Sequence, residues 1–291
     1  MQFWQGVAFL ETEQLLDVAR ASERCGYDVV TVSDHVFYPA VYKAPYPYTP
    51  TGVPYWDAST PWPDAWVSIG AMAAVTTTLR FTTNVYIAPV RDLFTVAKLV
   101  STAAVLSGGR VALGAAPGWC EDEFEQMGQD FASRGRRLEE MMTALRLLWA
   151  GGMVTHHGTH YDFGPLTIAP TPPQRVPIYV GGDTEAALRR ATRHGDGWVG
   201  NAYTPADADA VLDRLDRHLG EAGRDRDGFE VALALIARPS PELYRRFEDR
   251  GVTALVCAPW MGADHTARGT SPVEIKVAAI ERFAERVVAK M

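Results

Sequence analysis

The stretch from Tyr27 to His35, YDVVTVSDH, constrains the fold of this 291-residue chain more than any other segment. Tyr27 to Val32 is a short, nearly continuous apolar run rich in β-branched residues, which is typical of a strand covered on both faces. Ser33, Asp34 and His35 follow it directly. A carboxylate and an imidazole at the end of a buried parallel strand predict a catalytic site of the barrel type. The alternative is that Asp34 and His35 only cap the strand and bind backbone groups.

Strand and helix patterns alternate along the whole chain. Strands are predicted over residues 3–10, 27–32, 79–88, 110–114, 177–180, 197–199, 229–236 and 252–257. Helices are predicted over residues 12–25, 64–75, 92–106, 134–150, 184–194, 206–220, 241–250 and 272–290, and a further helix begins at CEDEFEQMG. Eight strand–helix units predict an α/β fold, a (β/α)8 TIM barrel, as one domain over residues 1–291. A doubly wound open sheet is the alternative, but no GxGxxG follows the first strand.

Two segments interrupt this alternation. Residues 37–63, after the second strand, are dense in proline and aromatic side chains, which predicts an irregular insertion that serves as an active-site lid or packs on a neighbouring subunit. Residues 153–176 form a β excursion before the fifth strand. Its histidines, His156, His157 and His160, lack the helix that the HExxH zinc motif needs, so we expect a solvated hairpin and no metal site.

Composition excludes several classes of partner. The formal net charge of -7 and the sequence pI near 5.5 argue against nucleic acid or an anionic membrane as the main partner. Three widely separated cysteines suit reduced thiols in a cytosol, and no apolar run approaches membrane-spanning length. The N-terminus has no basic segment of the signal-peptide type. We therefore expect a cytoplasmic protein that acts on a small molecule.

Polar residues and glycines mark three further strand ends. In FTTNVYIAPVR, Asn84 and Val85 interrupt an apolar run, and the amide is either buried and satisfied or part of the wall for a planar ligand. Glycine turns occur at residues 114–119, GAAPGW, and 180–187, VGGDTEAA. Each joins a strand to a helix N-terminus, which offers N–H groups and partial positive charge to an anion. In the second turn, Asp183 is alternatively a simple N-cap.

These blocks together resemble the bacterial-luciferase-like superfamily of flavin- or deazaflavin-dependent oxidoreductases. The resemblance extends over nearly the whole chain. Its motifs are ERCGYDVVTVSDHV, LRFTTNVYIAPVR, GGRVALGAAPGWCEDEFEQMG, RGRRLEEMMTALRLLW, THHGTHYDFGP and PIYVGGDTEAALRRATRHGDGWVGNA.

The resemblance implies where a cofactor lies in the barrel. The ring system would lie over the third strand, with a non-proline cis peptide at Asn84–Val85 behind the central ring. The tail would run to the two glycine turns, with the phosphate at the second. The residues implied to bind the cofactor in this way are Asn84, Val85, Ala116, Pro117, Gly118, Gly181, Gly182 and Asp183.

The Ser-Asp-His ending is similar to the branch of the superfamily that uses the deazaflavin coenzyme F420. That similarity implies that Asp34 and His35 contact the cofactor and are catalytic. Asp34 would orient the site, and His35 would exchange a proton or stabilise charge while a hydride moves to or from C5. Imidazoles suit this work because they gain and lose protons near neutral pH.

One departure from the family bears on the substrate. The F420-dependent sugar-phosphate dehydrogenases of the family place a glutamate just after the fourth-strand glycines, where this chain has Trp119. Glucose-6-phosphate is therefore not the expected substrate. Together with Trp119, Phe37, Trp56 and Trp62 of the insertion are expected to contact an apolar or planar substrate.

The favoured function is therefore hydride transfer between F420 and a small organic substrate. The first alternative is an FMN-dependent monooxygenase that receives reduced flavin from a separate reductase and uses oxygen. The second is a catalytically silent barrel with a binding or structural role. The resemblance also implies a homodimer.

Overall fold

The computed structural model describes residues 1–261 and 271–291, and ten strands occur in this part of the chain. They are β1 (Gln2–Gly6), β2 (Val29–Val32), β3 (Arg80–Thr83), β4 (Val111–Ala115), β5 (Val154–His157), β6 (Asp162–Leu166), β7 (Ile178–Gly181), β8 (Gly197–Tyr203), β9 (Glu230–Leu235) and β10 (Ala254–Cys257). All except β5 and β6 form a closed barrel, in the order β1-β2-β3-β4-β7-β8-β9-β10. Every pairing in the barrel is parallel, including β10 with β1.

Helices follow the barrel strands, as the alternating pattern predicts. The α-helices of the described residues are α1 (Leu15–Arg24), α2 (Ala65–Ala73), α3 (Leu93–Leu106), α4 (Glu121–Gln126), α5 (Arg134–Trp149), α6 (Glu185–His194), α7 (Pro205–Glu221), α8 (Pro241–Asp249) and α9 (Val273–Arg286). Several begin at residues whose side chains accept N–H groups of the first turn, for example Asp64 before α2 and Asp92 before α3. The prediction of an α/β (β/α)8 barrel is confirmed.

The core lies on both sides of the barrel wall. The outer cluster packs the strands against the helices, and all four residues of β2 are buried. An inner cluster takes one buried residue from each of seven barrel strands: Trp4, Val29, Ala112, Tyr179, Val199, Ala232 and Ala254. These side chains fill the interior of the barrel, which is why its strands are apolar without a period-two alternation.

Two predicted strands end earlier than their apolar patterns. The first was expected over residues 3–10, but β1 ends at Gly6 and Phe9 adopts a left-handed backbone with φ of 62°. The third was expected over residues 79–88, but β3 ends at Thr83, and Asn84–Val85 is a cis peptide bond. In both cases hydrophobicity continues because the chain is still buried beyond the end of the strand. After β3, Tyr86 also pairs again with Ala115 of β4 through an isolated bridge.

Two smaller predictions also differ from the structure. β8 was expected over residues 197–199 and extends to Tyr203, because Ala202 and Tyr203 pair again with β9 beyond a register shift. Asp183 is not the N-cap of α6. That position belongs to Thr184, whose side chain accepts the N–H of Ala187. The Asp183 carboxylate therefore remains available for other contacts.

The two insertions are present where they were expected. No α-helix or strand occurs between β2 and α2, and the excursion before β7 is the antiparallel β5–β6 hairpin. Glu140 of α5 holds the turn of that hairpin, accepting the N–H groups of Thr159, His160 and Tyr161. Nε2 of His156 lies 3.3 Å from the same carboxylate. A structural role therefore accounts for this histidine.

Most of the apolar surface of α2 belongs to the core. Trp66, Ile69 and Met72 are buried, whereas Val67 is 69% exposed. Ordinary core packing thus explains most of the pattern DAWVSIGAMAAV, and the homodimer stays a prediction. In the described part of the chain, no helix has the length and apolar character that crossing a membrane requires.

We predict opposite stability changes from two glycine-to-alanine substitutions. A Cβ at Gly114 would lie 1.9 Å from the carbonyl oxygen of Thr83, so Gly114→Ala forces β3 and β4 apart. We expect a loss of about 1–3 kcal/mol or more in the free energy of unfolding in urea. Gly70→Ala is the matched control. No atom of the described residues lies within 4 Å of its added Cβ in α2, and we expect a gain of about 0.5–1 kcal/mol. Equal stability of the two variants would contradict the prediction.

Candidate active site

A cavity of about 970 Å³ opens at the C-terminal ends of the barrel strands. Its wall includes the end of β1, the residues that follow β2, β3 and β4, the turn after β7, and parts of β8, β9 and β10. Parallel barrels place their reactive groups at this end, because the loops there can vary without disturbing the strands. The cavity is therefore the candidate active site.

Asp34 anchors the segment that follows β2. Its Oδ1 accepts Nη2 of Arg91 and its Oδ2 accepts Nη1, both at 2.7 Å. Oδ2 also accepts the backbone N–H of Ile87 at 2.9 Å. Burial raises the pKa of the Asp34 carboxyl, and the guanidinium of Arg91 acts in the opposite direction. Arg91 in turn lies over the ring of Tyr86, 4.2 Å from its centroid.

His35 is held by a buried carboxylate from α4. Its Nδ1 lies 3.1 Å from Oε1 of Glu123, and the same oxygen accepts the backbone N–H of Val36 at 2.6 Å. Nε2 of His35 has no hydrogen-bond partner among residues 1–261 and 271–291, and His35 lines the cavity. The imidazole can therefore exchange a proton with a ligand through Nε2.

Aromatic side chains surround the imidazole. The ring of His35 lies 5.1 Å from that of Trp56, 4.8 Å from that of Trp62 and 5.9 Å from that of Trp119, measured between centroids. Phe9 and Tyr46 extend the cluster through further contacts with these indoles. The prolines and aromatic residues of the insertion thus form a largely apolar wall around the imidazole of His35.

The middle of the cavity is built by close approaches of backbone. The hydroxyl of Ser33 donates to the carbonyl of Asn84 at 2.9 Å, joining β2 to the cis peptide after β3. A Cβ on Gly181 would lie 2.6 Å from Cγ1 of Val85 and 3.5 Å from Cβ of Ala116. Gly181 is therefore the residue that leaves room for the Val85 side chain at the wall.

Positive charge gathers at another part of the wall, between α5 and α6. Arg134 donates to the carbonyls of Gly118 and Phe131, and Arg190 donates to Oε1 of Glu139 at 3.1 Å. Burial lowers the pKa of Arg134, and the neighbouring guanidinium of Arg190 lowers it further. Burial also lowers the pKa of Arg190, although Glu139 opposes that effect. Partly desolvated guanidinium groups favour the binding of an anion, and Arg190 already pairs with Glu139, which also lines the cavity.

Helix N-termini add to that positive end. The first residues of α5, including Gly135 and Arg136, line the cavity, and so do Thr184 and Ala187 at the start of α6. Unpaired N–H groups and the helix dipole favour an anion there. Asp183 brings the opposite charge, and its Oδ2 accepts the hydroxyl of Tyr203 at 3.2 Å.

The sequence profile of the luciferase-like monooxygenases matches residues 6–246. The chain belongs to this family. A protein of Mycobacterium tuberculosis of uncharacterized function is 35% identical over 295 residues, which cover 100% of both chains. An F420-dependent glucose-6-phosphate dehydrogenase of Microbacterium testaceum is 29% identical over 94% of this chain and 79% of its own length.

A solved structure shares the fold of this luciferase-like protein. An F420-dependent secondary alcohol dehydrogenase, determined with an F420–acetone adduct, superposes with a TM-score of 0.77. The alignment covers 100% of this chain and 99% of the other at 17% sequence identity. At that identity the likeness concerns the barrel itself.

The structure brings nearly all the residues predicted from the sequence to one cavity. Those in its wall are Asp34, His35, Trp56, Trp62, Asn84, Val85, Ala116, Pro117, Gly118, Trp119, Gly181, Gly182 and Asp183. Phe37 is half-buried and is not part of this wall. The expected cis peptide is present at Asn84–Val85. The roles of these residues in binding and catalysis stay predictions.

Sequence reasoning missed several charged residues of the site. Arg91 and Glu123 pair with Asp34 and His35 from positions far away in the chain. Arg134 and Arg190 approach each other from different helices. The available signals were the arginine that ends FTTNVYIAPVR and the acidic start of CEDEFEQMG. Neither signal identifies a partner without the fold.

We predict strong coupling between Asp34 and Arg91. Arg91→Leu leaves a buried carboxylate without its partner, which costs about 3–5 kcal/mol in the free energy of unfolding. Asp34→Asn alone is also destabilising, but the double variant should lose at least about 1 kcal/mol less than the sum of the two single losses. Urea unfolding of the four proteins measures this coupling. Strict additivity would show that the ion pair carries no shared energy.

Proposed function

We propose that this luciferase-like protein is an F420-dependent oxidoreductase that transfers a hydride between the deazaflavin and a small organic substrate. The observation that carries the proposal is the arrangement of one cavity. An imidazole enclosed by aromatic rings and a pair of partly desolvated arginines both belong to its wall. F420 has a matching arrangement, with a planar ring system at one end and an anionic tail at the other.

The cavity is large enough for such a cofactor. Its volume of about 970 Å³ lies at the upper end of the range of roughly 300–1,000 Å³ that is usual for ligand sites. Asn84, Val85 and the backbone of Gly181 provide a wall against which a planar ring can lie. Bound deazaflavin supplies or accepts a hydride at its C5 position.

Arg134 and Arg190 would hold the anionic tail of the cofactor. Arg190 is almost fully buried. Nη2 of its guanidinium lies 2.7 Å from the position that a Cβ on Gly135 would occupy, so the guanidinium packs closely against this glycine. The packing leaves the guanidinium few alternative positions. A preorganised cation binds an anion with little loss of side-chain entropy. The N-terminus of α6, after the Gly181–Gly182 turn, provides further N–H donors.

His35 would move the proton that accompanies the hydride. Hydride transfer to a carbonyl leaves an alkoxide that needs a proton, and removal of a hydride from an alcohol requires a base for the hydroxyl proton. Asp34 would hold the segment that carries His35 in place and would not itself exchange the proton, since both of its oxygens accept hydrogen bonds from Arg91 and Ile87. Trp56, Trp62 and Trp119 would exclude water from the reacting atoms.

The wall around His35 favours an uncharged, apolar or planar substrate. The basic residues in the described lining of the cavity, Arg134, Arg136 and Arg190, come from α5 and α6, whereas the aromatic side chains enclose His35. A substrate phosphate beside His35 would thus meet aromatic rings instead of cations. We therefore do not propose glucose-6-phosphate, the substrate in the name of the Microbacterium testaceum relative, as the substrate of this protein.

We predict that the purified apoprotein binds F420 more tightly than FMN. Fluorescence titration should show a Kd for F420 in the micromolar range or below, and weaker binding of FMN. The reverse preference would favour the alternative, a monooxygenase that receives reduced FMN from a reductase. If neither cofactor binds, the catalytically silent barrel becomes the better description.

We predict a tail-specific effect of the arginines. Arg190→Met should weaken F420 binding about 10- to 100-fold, as expected for the loss of one charge-assisted hydrogen-bonding group of about 1.5–3 kcal/mol. Binding of the deazaflavin fragment that lacks the phosphate and tail should change less than twofold. Arg189→Met, on the exposed face of the same helix, is the matched control for both ligands. Equal losses for F420 and the fragment would show that Arg190 does not bind the tail.

A further inference from the structure

Glu123 is the most deeply buried carboxylate beside the reactive end of the cavity. It is 0% exposed and lies in the first turn of α4, behind His35 as seen from the cavity. Oε1 accepts the N–H of Val36 and lies within hydrogen-bond distance of Nδ1 of His35. Oε2 is buried and has no hydrogen-bond partner in the described part of the chain.

A purely structural role explains this arrangement poorly. The N–H of Val36 needs only one acceptor, which a neutral amide side chain could provide. A carboxylate is more costly to bury than an amide, and leaving one of its oxygens without a partner adds to that cost. The contact with His35 is the feature that a charged side chain improves, since a carboxylate accepts a stronger hydrogen bond from an imidazole N–H.

We propose that Glu123 is a positioning residue that fixes the orientation and the tautomer of His35. A carboxylate can only accept hydrogen bonds, so the hydrogen of the imidazole lies on Nδ1 and points to Glu123. Nε2 is then the unprotonated nitrogen and faces the cavity. The aromatic rings of Trp56, Trp62 and Trp119 limit the alternative positions of the imidazole.

The consequence for the reaction is a defined path for one proton. In the oxidising direction, the substrate hydroxyl gives its proton to Nε2 while the hydride leaves the adjacent carbon for the deazaflavin. The imidazolium that forms keeps its Nδ1–H on Glu123, whose charge stabilises it. In the reducing direction the same Nε2–H protonates the oxygen that has lost the carbonyl double bond. This step rests on the proposed function, whereas the tautomer of His35 does not.

The neighbouring charges leave Glu123 as the partner of His35. Asp34 carries a second carboxylate near the imidazole, but both of its oxygens are bound to Arg91. Asp122 of α4 accepts the backbone N–H of Lys43, and Glu125 pairs with the side chain of Lys43. Within the described residues, Glu123 is thus the carboxylate in contact with the His35 ring.

Nitrogen NMR of the histidine-labelled apoprotein tests the tautomer without any cofactor or substrate. The spectrum is recorded at alkaline pH, where an imidazole is neutral, and the His35 signals are identified by their loss in His35→Asn. In the wild-type protein we expect the signature of a proton on Nδ1 and a bare Nε2. In Glu123→Met, which removes the acceptor but keeps the length of the side chain, this preference should be lost.

Two further variants separate positioning from folding. Glu123→Gln keeps an oxygen for the Val36 N–H but removes the charge, and thermal unfolding shows whether it remains folded. Glu121→Gln, at an exposed position of the same helix, is the matched control. With any substrate that the enzyme turns over, Glu123→Gln should lower kcat by about 10²- to 10⁴-fold and leave KM and the Kd for F420 within about threefold of the wild-type values. Glu121→Gln should match the wild type in all three quantities.

The outcomes distinguish this proposal from the proposed function. A proton on Nε2 in the wild-type protein, or the same tautomer in Glu123→Met, overturns the role of Glu123 even if F420 binds. Unchanged kcat in folded Glu123→Gln overturns it as well. Conversely, the expected tautomer in a protein that does not bind F420 would support the Glu123–His35 pair and refute only the deazaflavin function.

Discussion

The bidentate ion pair between Asp34 and Arg91 is the interaction on which the geometry of the site depends. It joins the segment that follows β2 to the segment that follows β3. The backbone N–H of Ile87, in the second segment, donates a further hydrogen bond to the Asp34 carboxylate. Asp34 is buried and Arg91 is partly buried, so the pair forms in a low-dielectric surrounding where breaking it would be costly. His35 is the next residue in the chain, and the cis peptide at Asn84–Val85 lies on the other segment. The pair therefore helps to fix the position of the imidazole and that of the central wall of the cavity.

The cavity then divides according to which helices and loops cover it. The insertion between β2 and α2 provides the aromatic wall, whereas α5 and α6 provide arginines and, at their N-termini, N–H groups. Aromatic rings exclude water and strengthen the interactions of the imidazole, while the partly desolvated guanidinium groups favour an anion. A long ligand with a planar and an anionic part fits both regions at once. A deazaflavin such as F420 is a ligand of this kind, and relatives in the luciferase-like family use it.

The barrel and most of its wall were predictable from the sequence, for local reasons. Continuous β-branched runs ended by polar residues mark buried parallel strands, and glycines mark the turns that follow them. The predicted ends of the first and third strands were wrong because buried, apolar residues continue beyond the residues that pair in the strand. The apolar run after β3 stays buried around Tyr86, although β3 itself ends at Thr83 and Tyr86 pairs with β4 only through an isolated bridge. Phe37 was expected beside the substrate because of its aromatic character, but the direction of a side chain in a loop without periodicity depends on the tertiary structure.

The sequence alone determined the alternation of strands and helices, the strand end at Asp34 and His35, and the composition of the insertion, because these are properties of neighbouring residues. Only the tertiary structure decided which charges meet. Glu123 reaches His35 across 88 positions, Arg91 reaches Asp34 across 57, and Arg134 approaches Arg190 from a different helix. Closure of the barrel brings these segments together. Pairings of this kind leave no periodic signal, since each depends on single side chains in segments that are far apart in the sequence.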